Sequence, residues 1–280
     1  MNSEDLKVKE VKHIDYCGRD IVLFRGTDYK VYALHAFCSH MGANLGIDGK
    51  VKMGQCVQCP FHGWLFDGES GHAIQSELVA KKRVGQFEYY DLKKQHQVNG
   101  EYLKKCYDGD IKLKKYIIRE INNSIHIWYD SRDEYHEKPL YEPFLLETQL
   151  QYRGESINYV KCHIQEIPEN GADIRHFDFL HTSVMDYIPF MKFKWSMISE
   201  RATEPDLFKM MEHKDKMIND FKMGMIKKYL TEENKPYINV FSLNSYMVFF
   251  EKYKIFLFNG TGFQVGPGLV FLFLLSLIHI

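Results

Sequence analysis

Four residues between Cys38 and His62 have the types and the spacing to hold metal. Cys38-x-His40 lies in Cys38-Ser-His-Met-Gly-Ala-Asn-Leu-Gly46, and Cys59-x-x-His62 lies in Cys56-Val-Gln-Cys-Pro-Phe-His-Gly-Trp64. Two thiolates and two imidazoles can bind a [2Fe–2S] cluster in which two His replace two Cys on one iron. Side chains two apart in an extended segment point the same way, so Cys38 and His40 can reach one cluster from one loop. Pro60 presets the first corner of a turn that returns His62 beside Cys59, and Gly63 lets the chain leave that turn without a steric penalty. The same residue set admits a tetrahedral zinc ion. Cys56-x-x-Cys59 taken alone would suit a redox pair, although no strand–helix unit follows it. The plainest alternative is a set of ordinary buried Cys and His. Two correctly spaced pairs favour the cluster, and Cys56 is then left as a small core residue.

A second stretch, Ile164 to Ser183, carries Asp173, His176 and His181. Pro168 and Asn170 look like the start of a helix. On that helix Asp173 and His176, three apart, share a face. His176 and His181 are five apart, which at about 100° per residue leaves them roughly 140° apart on a regular helix. They can share one metal only if the helix is distorted or ends between them. By themselves these residues read as an exposed helical His pair.

The two stretches together resemble the Rieske oxygenases that act on sterols, in particular the cholesterol 7-desaturase family. The resemblance rests on Cys-x-His-x-Gly-Ala-Asn-Leu-Gly, Gln-Cys-Pro-Phe-His-Gly-Trp, Pro-Glu-Asn-Gly-Ala-Asp and Asn170-x-x-Asp173-x-x-His176-x4-His181. It implies one [2Fe–2S] cluster on Cys38, His40, Cys59 and His62. It also implies a mononuclear non-haem Fe(II) on His176 and His181, two corners of a 2-His-1-carboxylate triad that leaves positions open for O2. Asp173 would be the bridging carboxylate, receiving an electron through His62 of a neighbouring subunit, which implies a ring-like homo-oligomer such as a trimer. The family's third ligand, an Asp or Glu, would fall past Ile280; Glu204, Asp220 and Glu251 match no motif, and none is assigned. The implied reaction converts cholesterol to 7-dehydrocholesterol with O2 and with NAD(P)H electrons delivered by a reductase. A related steroid hydroxylase would share both iron motifs, and a Rieske electron-transfer protein without chemistry of its own would share only the first.

Composition sets the frame. The chain has 280 residues and a formal net charge of −1, which gives no reason to expect a nucleic-acid partner. Six Cys in this length do not make a disulfide scaffold, and a reducing, intracellular compartment fits them. The polar start, Met1 to Asp20, has no apolar core and is no signal peptide. No run of about 18 apolar residues suggests a membrane helix. The resemblance implies such a helix upstream of the first motif, hence membrane association through a missing N-terminal segment, at the endoplasmic reticulum or another endomembrane.

The elements that must position these residues read as α+β. Short apolar strands over 6–36 are separated by turn signals at Cys17-Gly-Arg-Asp20 and Gly26-Thr-Asp28. A turn at Phe66 to Gly71 and a strand–turn–strand pair around Asn122-Asn123 complete an all-β module over 1–130. Within it, His126 reads as outward-facing or as a satisfied packing residue. The Lys-rich segment 76–116 reads as a solvated loop, or as a docking face for an acidic electron donor. A charged linker, 131–143, leads to a truncated antiparallel-sheet-plus-helix catalytic domain over 131–280. There, 145–153 and 157–163 look strand-like, Asp206 to Leu230 has a helical, Met-rich period, and Tyr237–Phe250 and Tyr253–Phe263 read as paired strands. The apolar run at 269–280 lacks a cap. Leu275-Ser-Leu-Ile-His-Ile280 corresponds to a translated end sequence of transposon-based sequencing libraries, so this tail is expected to be non-native.

Overall fold

The computed structural model describes residues 1–74, 107–134, 138–146, 154, 156, 158–180, 190–250, 252–266 and 268–276. The chain divides into two compact units, Met1–Pro139 and Leu140–Ile280. The sequence suggested a boundary near 130. The first unit reaches further because Lys114 forms an ion pair with Asp133, which ties the start of the charged linker back to it.

The first unit is all β. Strands β1 (Val11–Tyr16), β2 (Arg19–Arg25) and β3 (Val31–His35) form an antiparallel three-stranded sheet. Cys17 and Gly18 link β1 to β2 with φ of 53° and 68°, the left-handed pair that a two-residue hairpin turn requires. Strand β2 is buried on both faces: Val22 and Phe24 enter one core, Ile21 and Leu23 another. A five-stranded sheet runs in order β4 (Lys50–Lys52), β5 (Cys56–Gln58), β6 (Leu65–Asp67), β7 (His72–Ile74), β8 (Tyr107–Lys112). Val57, Phe66 and Ala73 from this sheet pack with Val22, Phe24, Leu34 and the two cysteines Cys38 and Cys59.

The second, smaller core lies between β2–β3 and the hairpin β9 (Ile118–Ile121)–β10 (Ser124–Ile127). Asn122 and Asn123, φ 54° and 58°, make its turn. Arg25 locks this side. Its guanidinium donates to the carbonyls of Leu6 (2.7 Å), Ser3 (2.9 Å) and Tyr29 (2.8 Å), and it pairs with Glu120 at 2.7 Å. His126, on β10, is half-buried, and that burial lowers its pKa.

The second unit is built on one antiparallel sheet in sequence order: β11 (Met191–Arg201), β12 (Ile238–Phe249), β13 (Tyr253–Val265), β14 (Leu269–Ser276). One face, through Ile238, Val240, Phe263, Val265, Phe271 and Phe273, packs on Leu207, Met211, Ile226 and Tyr229. Helices α1 (Glu166–Ala172) and α2 (Phe177–Leu180) come before the sheet in the chain, and the expected single helix over 206–230 is two: α3 (Leu207–Met210) and α4 (Lys216–Tyr229). Asp215 separates them by capping α4, accepting from the N–H groups of Met217 (3.0 Å) and Ile218 (3.2 Å). The paired strands over 237–263 are present as β12 and β13. The strands expected over 145–153 and 157–163 are not formed at the described residues 145–146 and 158–163; residues 147–153 and 157 lie outside the described residues. In β14 an unbroken apolar run conceals a period of two: Phe271 and Phe273 enter the core, whereas Val270, Leu272 and Leu274 are exposed.

Candidate metal centres

The first centre is built from two loops with the same backbone closure. In one, the N–H of Cys38 donates to the carbonyl of Ala43 (2.9 Å) and the N–H of Gly42 to the carbonyl of Cys38 (2.8 Å). In the other, Cys59 N–H donates to Trp64 O (2.7 Å) and Gly63 N–H to Cys59 O (3.1 Å). Each loop thus returns on itself over the same span, and each turns on a glycine with positive φ, 68° at Gly42 and 77° at Gly63. An L side chain is strained at those angles. The closures hold the cysteines at the base of each loop and carry the histidines to the tip.

The side chains sort accordingly. Cys38 and Cys59 are buried at 4% and 2% exposure, and their thiols interact. Burial pushes the Cys38 thiol up and the Cys59 thiol adds to it, whereas the backbone N–H groups of His40 and Met41 pull the other way. A Cys38 thiol that resists ionisation when bare becomes a thiolate beside a metal cation. His40 and His62 are exposed, with ring centroids 4.8 Å apart. His40 stacks on Trp64 at 4.9 Å and 5°, and His62 contacts Phe61 at 4.5 Å. Cys56 points into the core on β5, fully buried, as the leftover cysteine was expected to be.

Among the described residues no three His, Cys, Asp or Glu converge as a single-ion site. The four predicted ligands fall instead into a buried Cys pair and an exposed His pair. Two irons, one on sulfur and one on nitrogen, need that division, whereas a single tetrahedral zinc needs all four at one point. The residues therefore fit a [2Fe–2S] cluster. The ligand spacing alone did not mark Trp64 as the platform for His40; its position five residues after Cys59, mirrored by Ala43 after Cys38, is the signal that could have done so.

The second centre is described in part. Helix α1 (Glu166–Ala172) begins before Pro168, which sits in its first turn, where a missing N–H breaks no helical bond. The helix does not run on into His176. It stops at Asp173 (φ −78°, ψ 80°), continues as a 3-10 turn over Ile174–His176, and resumes as α2 (Phe177–Leu180). Asp173 caps the turn by accepting from Arg175 N–H at 3.2 Å. Nδ1 of His176 meets the backbone carbonyl of Asp173, and an Asp173 carboxylate oxygen lies 4.0 Å from the same nitrogen. A carbonyl can only accept, so Nδ1 carries the proton and Nε2 keeps the lone pair a metal would take. Behind the imidazole, Phe177 packs on His176 at 4.5 Å and on Trp195 of β11 at 5.1 Å. His181 lies outside the described residues, as do Glu251 and most of the Lys-rich segment, 76–106.

The chain is similar to several known proteins. The model of the Rieske [2Fe-2S] domain matches residues 1–94. The chain is 34% identical over 273 residues to cholesterol 7-desaturase nvd of Drosophila melanogaster, covering 96% of this chain and 52% of that protein. It is 29% identical over 276 residues to cholesterol 7-desaturase nvd of Xenopus laevis, covering 97% and 51%. It thus spans about half the length of these curated relatives. Among solved structures, dicamba monooxygenase bound to 3,6-dichlorosalicylic acid aligns with a TM-score of 0.46 and 16% identity over 95% of this chain and 66% of that one. An N-terminal match to the Rieske [2Fe-2S] domain and similarity along nearly the whole chain make this protein a relative of the cholesterol 7-desaturases.

Proposed function

We propose that this chain is the oxygenase component of a sterol 7-desaturase, acting on cholesterol or a close analogue with O2 and with electrons drawn from NAD(P)H through a reductase. The observation that carries the reading is the pair of identically closed loops, with cysteines buried and histidines exposed, in one chain with an Asp173–His176 pair. Cys38, His40, Cys59 and His62 would hold a [2Fe–2S] cluster, and His176 and His181 a mononuclear iron. When bound, these groups supply one-electron storage and O2 activation.

The chain's own residues supply position and protection. Burial of Cys38 and Cys59 keeps water from the sulfur side, and the exposed imidazole edges offer the shortest route for an electron to leave. The backbone carbonyl of Asp173 fixes the His176 tautomer, and its carboxylate is within reach of the same ring. Passage of an electron from His62 to Asp173 across a subunit boundary makes the working form a homo-oligomer, a trimer in this reading, placed at an endomembrane where sterol is dissolved. Among the described residues no helix is long and apolar enough to cross a membrane.

His176→Ala tests the assignment in the full chain supplied with cholesterol, O2 and a reductase. We expect the visible absorption and EPR of the iron–sulfur cluster to persist while formation of the 7,8-diene falls below detection. Unchanged diene output from the variant would sink the proposal, and a hydroxysterol from the parent would identify a steroid hydroxylase instead.

A further inference from the structure

The second unit carries a polar cavity that the iron sites do not use. It has a volume of about 350 Å³ and is lined by Arg201, Thr203, Lys235, Tyr237, Asn239 and Gln264 together with backbone around them. The sheet register builds it. Arg201 is the cross-strand partner of Asn239, and Asn239 is the partner of Gln264, so the three side chains stand in one row across β11, β12 and β13. At the usual strand spacing that row is about 10 Å wide. The alternating neighbours Val240 and Phe263 enter the helix-covered core, so the row stands on the opposite, open face of the sheet.

Two cations and no carboxylate line this cavity. Lys235 pairs with Glu232, which is not among the lining residues. Among the described residues the guanidinium of Arg201 has no ion-pair partner. A planar fork of five donors flanked by two primary amides matches a carboxylate, sulfate or phosphate, each of which accepts several hydrogen bonds in one plane.

The open face continues from the row as an apolar floor. The next row on this face sets Phe241 against Gly262 and Leu272, and the one after sets Leu243 against Gly260 and Leu274. The Phe241 ring lies across Gly262, where a side-chain Cβ would come within 2.0 Å of it, and Leu272 and Leu274 close over Gly260. Glycines at these two positions let large apolar groups lie flat, which makes a smooth surface leading from the cationic cavity.

We propose that this cavity binds the anionic head of a single amphiphile whose apolar body lies along the open face over Phe241 and Leu243. The row shares its face of the sheet with Trp195, on which Phe177 of the second centre packs, but lies six residues away along β11, and the binding assignment uses none of the iron ligands. Equilibrium dialysis of the full-length chain tests it with three probes: laurate below its micelle concentration, dodecanol and inorganic sulfate. Laurate should bind at least about tenfold more tightly than either of the others, because only laurate offers both the charge and the body. Arg201→Gln should bring laurate down to the level of dodecanol, and Arg201→Lys, which keeps charge but not the fork, should fall between. If Arg201→Gln loses its far-ultraviolet circular dichroism, Gln264→Glu replaces it and should weaken laurate by the same factor without weakening dodecanol. No saturable laurate binding, equal binding of dodecanol or of sulfate, or laurate affinity unchanged in the variant would each overturn the proposal.

Discussion

Cys38 and Cys59 differ from Cys56 by what surrounds the sulfur, and not by burial, since all three are buried. The Cys38 and Cys59 thiols interact, and each cysteine sits at the base of a closed loop. Cys56 lies within β5, opposite Asp67. The two kinds of cysteine should therefore separate cleanly on substitution. Cys59→Ser is expected to abolish the cluster's visible absorption and to release about two irons per chain. Cys56→Ser should keep the spectrum and lower stability by about 1 kcal/mol, the cost of burying a hydroxyl in place of a thiol. Parallel iron analysis and absorption spectra distinguish the outcomes, and loss of the cluster in Cys56→Ser would revise the ligand set. The CxxC spacing by itself does not make this distinction; Cys59-x-x-His62 does, because it pairs Cys59 and not Cys56 with a histidine at ligand spacing.

At the scale of the element, helix α4 shows how a local signal can be opposed by packing. Ile218, Lys222, Ile226 and Tyr229 are its buried residues. Lys222 therefore occupies an apolar stripe at 1% exposure, with its pKa lowered by desolvation. The unfolded chain holds that proton more tightly than the folded one. Between the lowered folded value and 10.5 the unfolded state carries more protons, so the stability of this unit should rise with pH across that window. Below the window the full cost of burying the charge is present. Lys222→Met keeps the volume and removes the charge, so it should stabilise the protein at pH 7 by about 1 kcal/mol. The gain should shrink as pH approaches 10.5. Urea unfolding midpoints of the two proteins at pH 7, 9 and 10 measure this directly, and a gain independent of pH would show that Lys222 stays charged in the fold.

The whole molecule is two units, and each hydrophobic core among the described residues lies within one of them. All four proposed cluster ligands belong to the first. Residues 1–139 expressed alone are therefore expected to fold and assemble a cluster with the same absorption and EPR as the full chain, with no sterol turnover. A fragment that takes up no iron would mean that residues beyond 139 hold the loops closed.

The sequence alone determined the ligand types, the two-loop arrangement and the all-β character of the first unit, because these depend on short-range chemistry: Cys and His at fixed spacing, glycines where φ is positive, Asn-Asn at a two-residue turn. It also carried the paired strands β12 and β13, whose lengths and turn are local. Tertiary structure decided what depends on distant partners. The helix around Asp173 breaks because the carboxylate caps the following turn, a competition that periodicity does not register. The boundary moved past 130 because Lys114 reaches Asp133. The row of Arg201, Asn239 and Gln264 exists only through strand register, which brings together residues far apart in the chain. The loops behaved in the same way: spacing named Cys38, His40, Cys59 and His62, but only folding divided them into a buried sulfur pair and an exposed imidazole pair, because burial is set by the sheets packed beneath them.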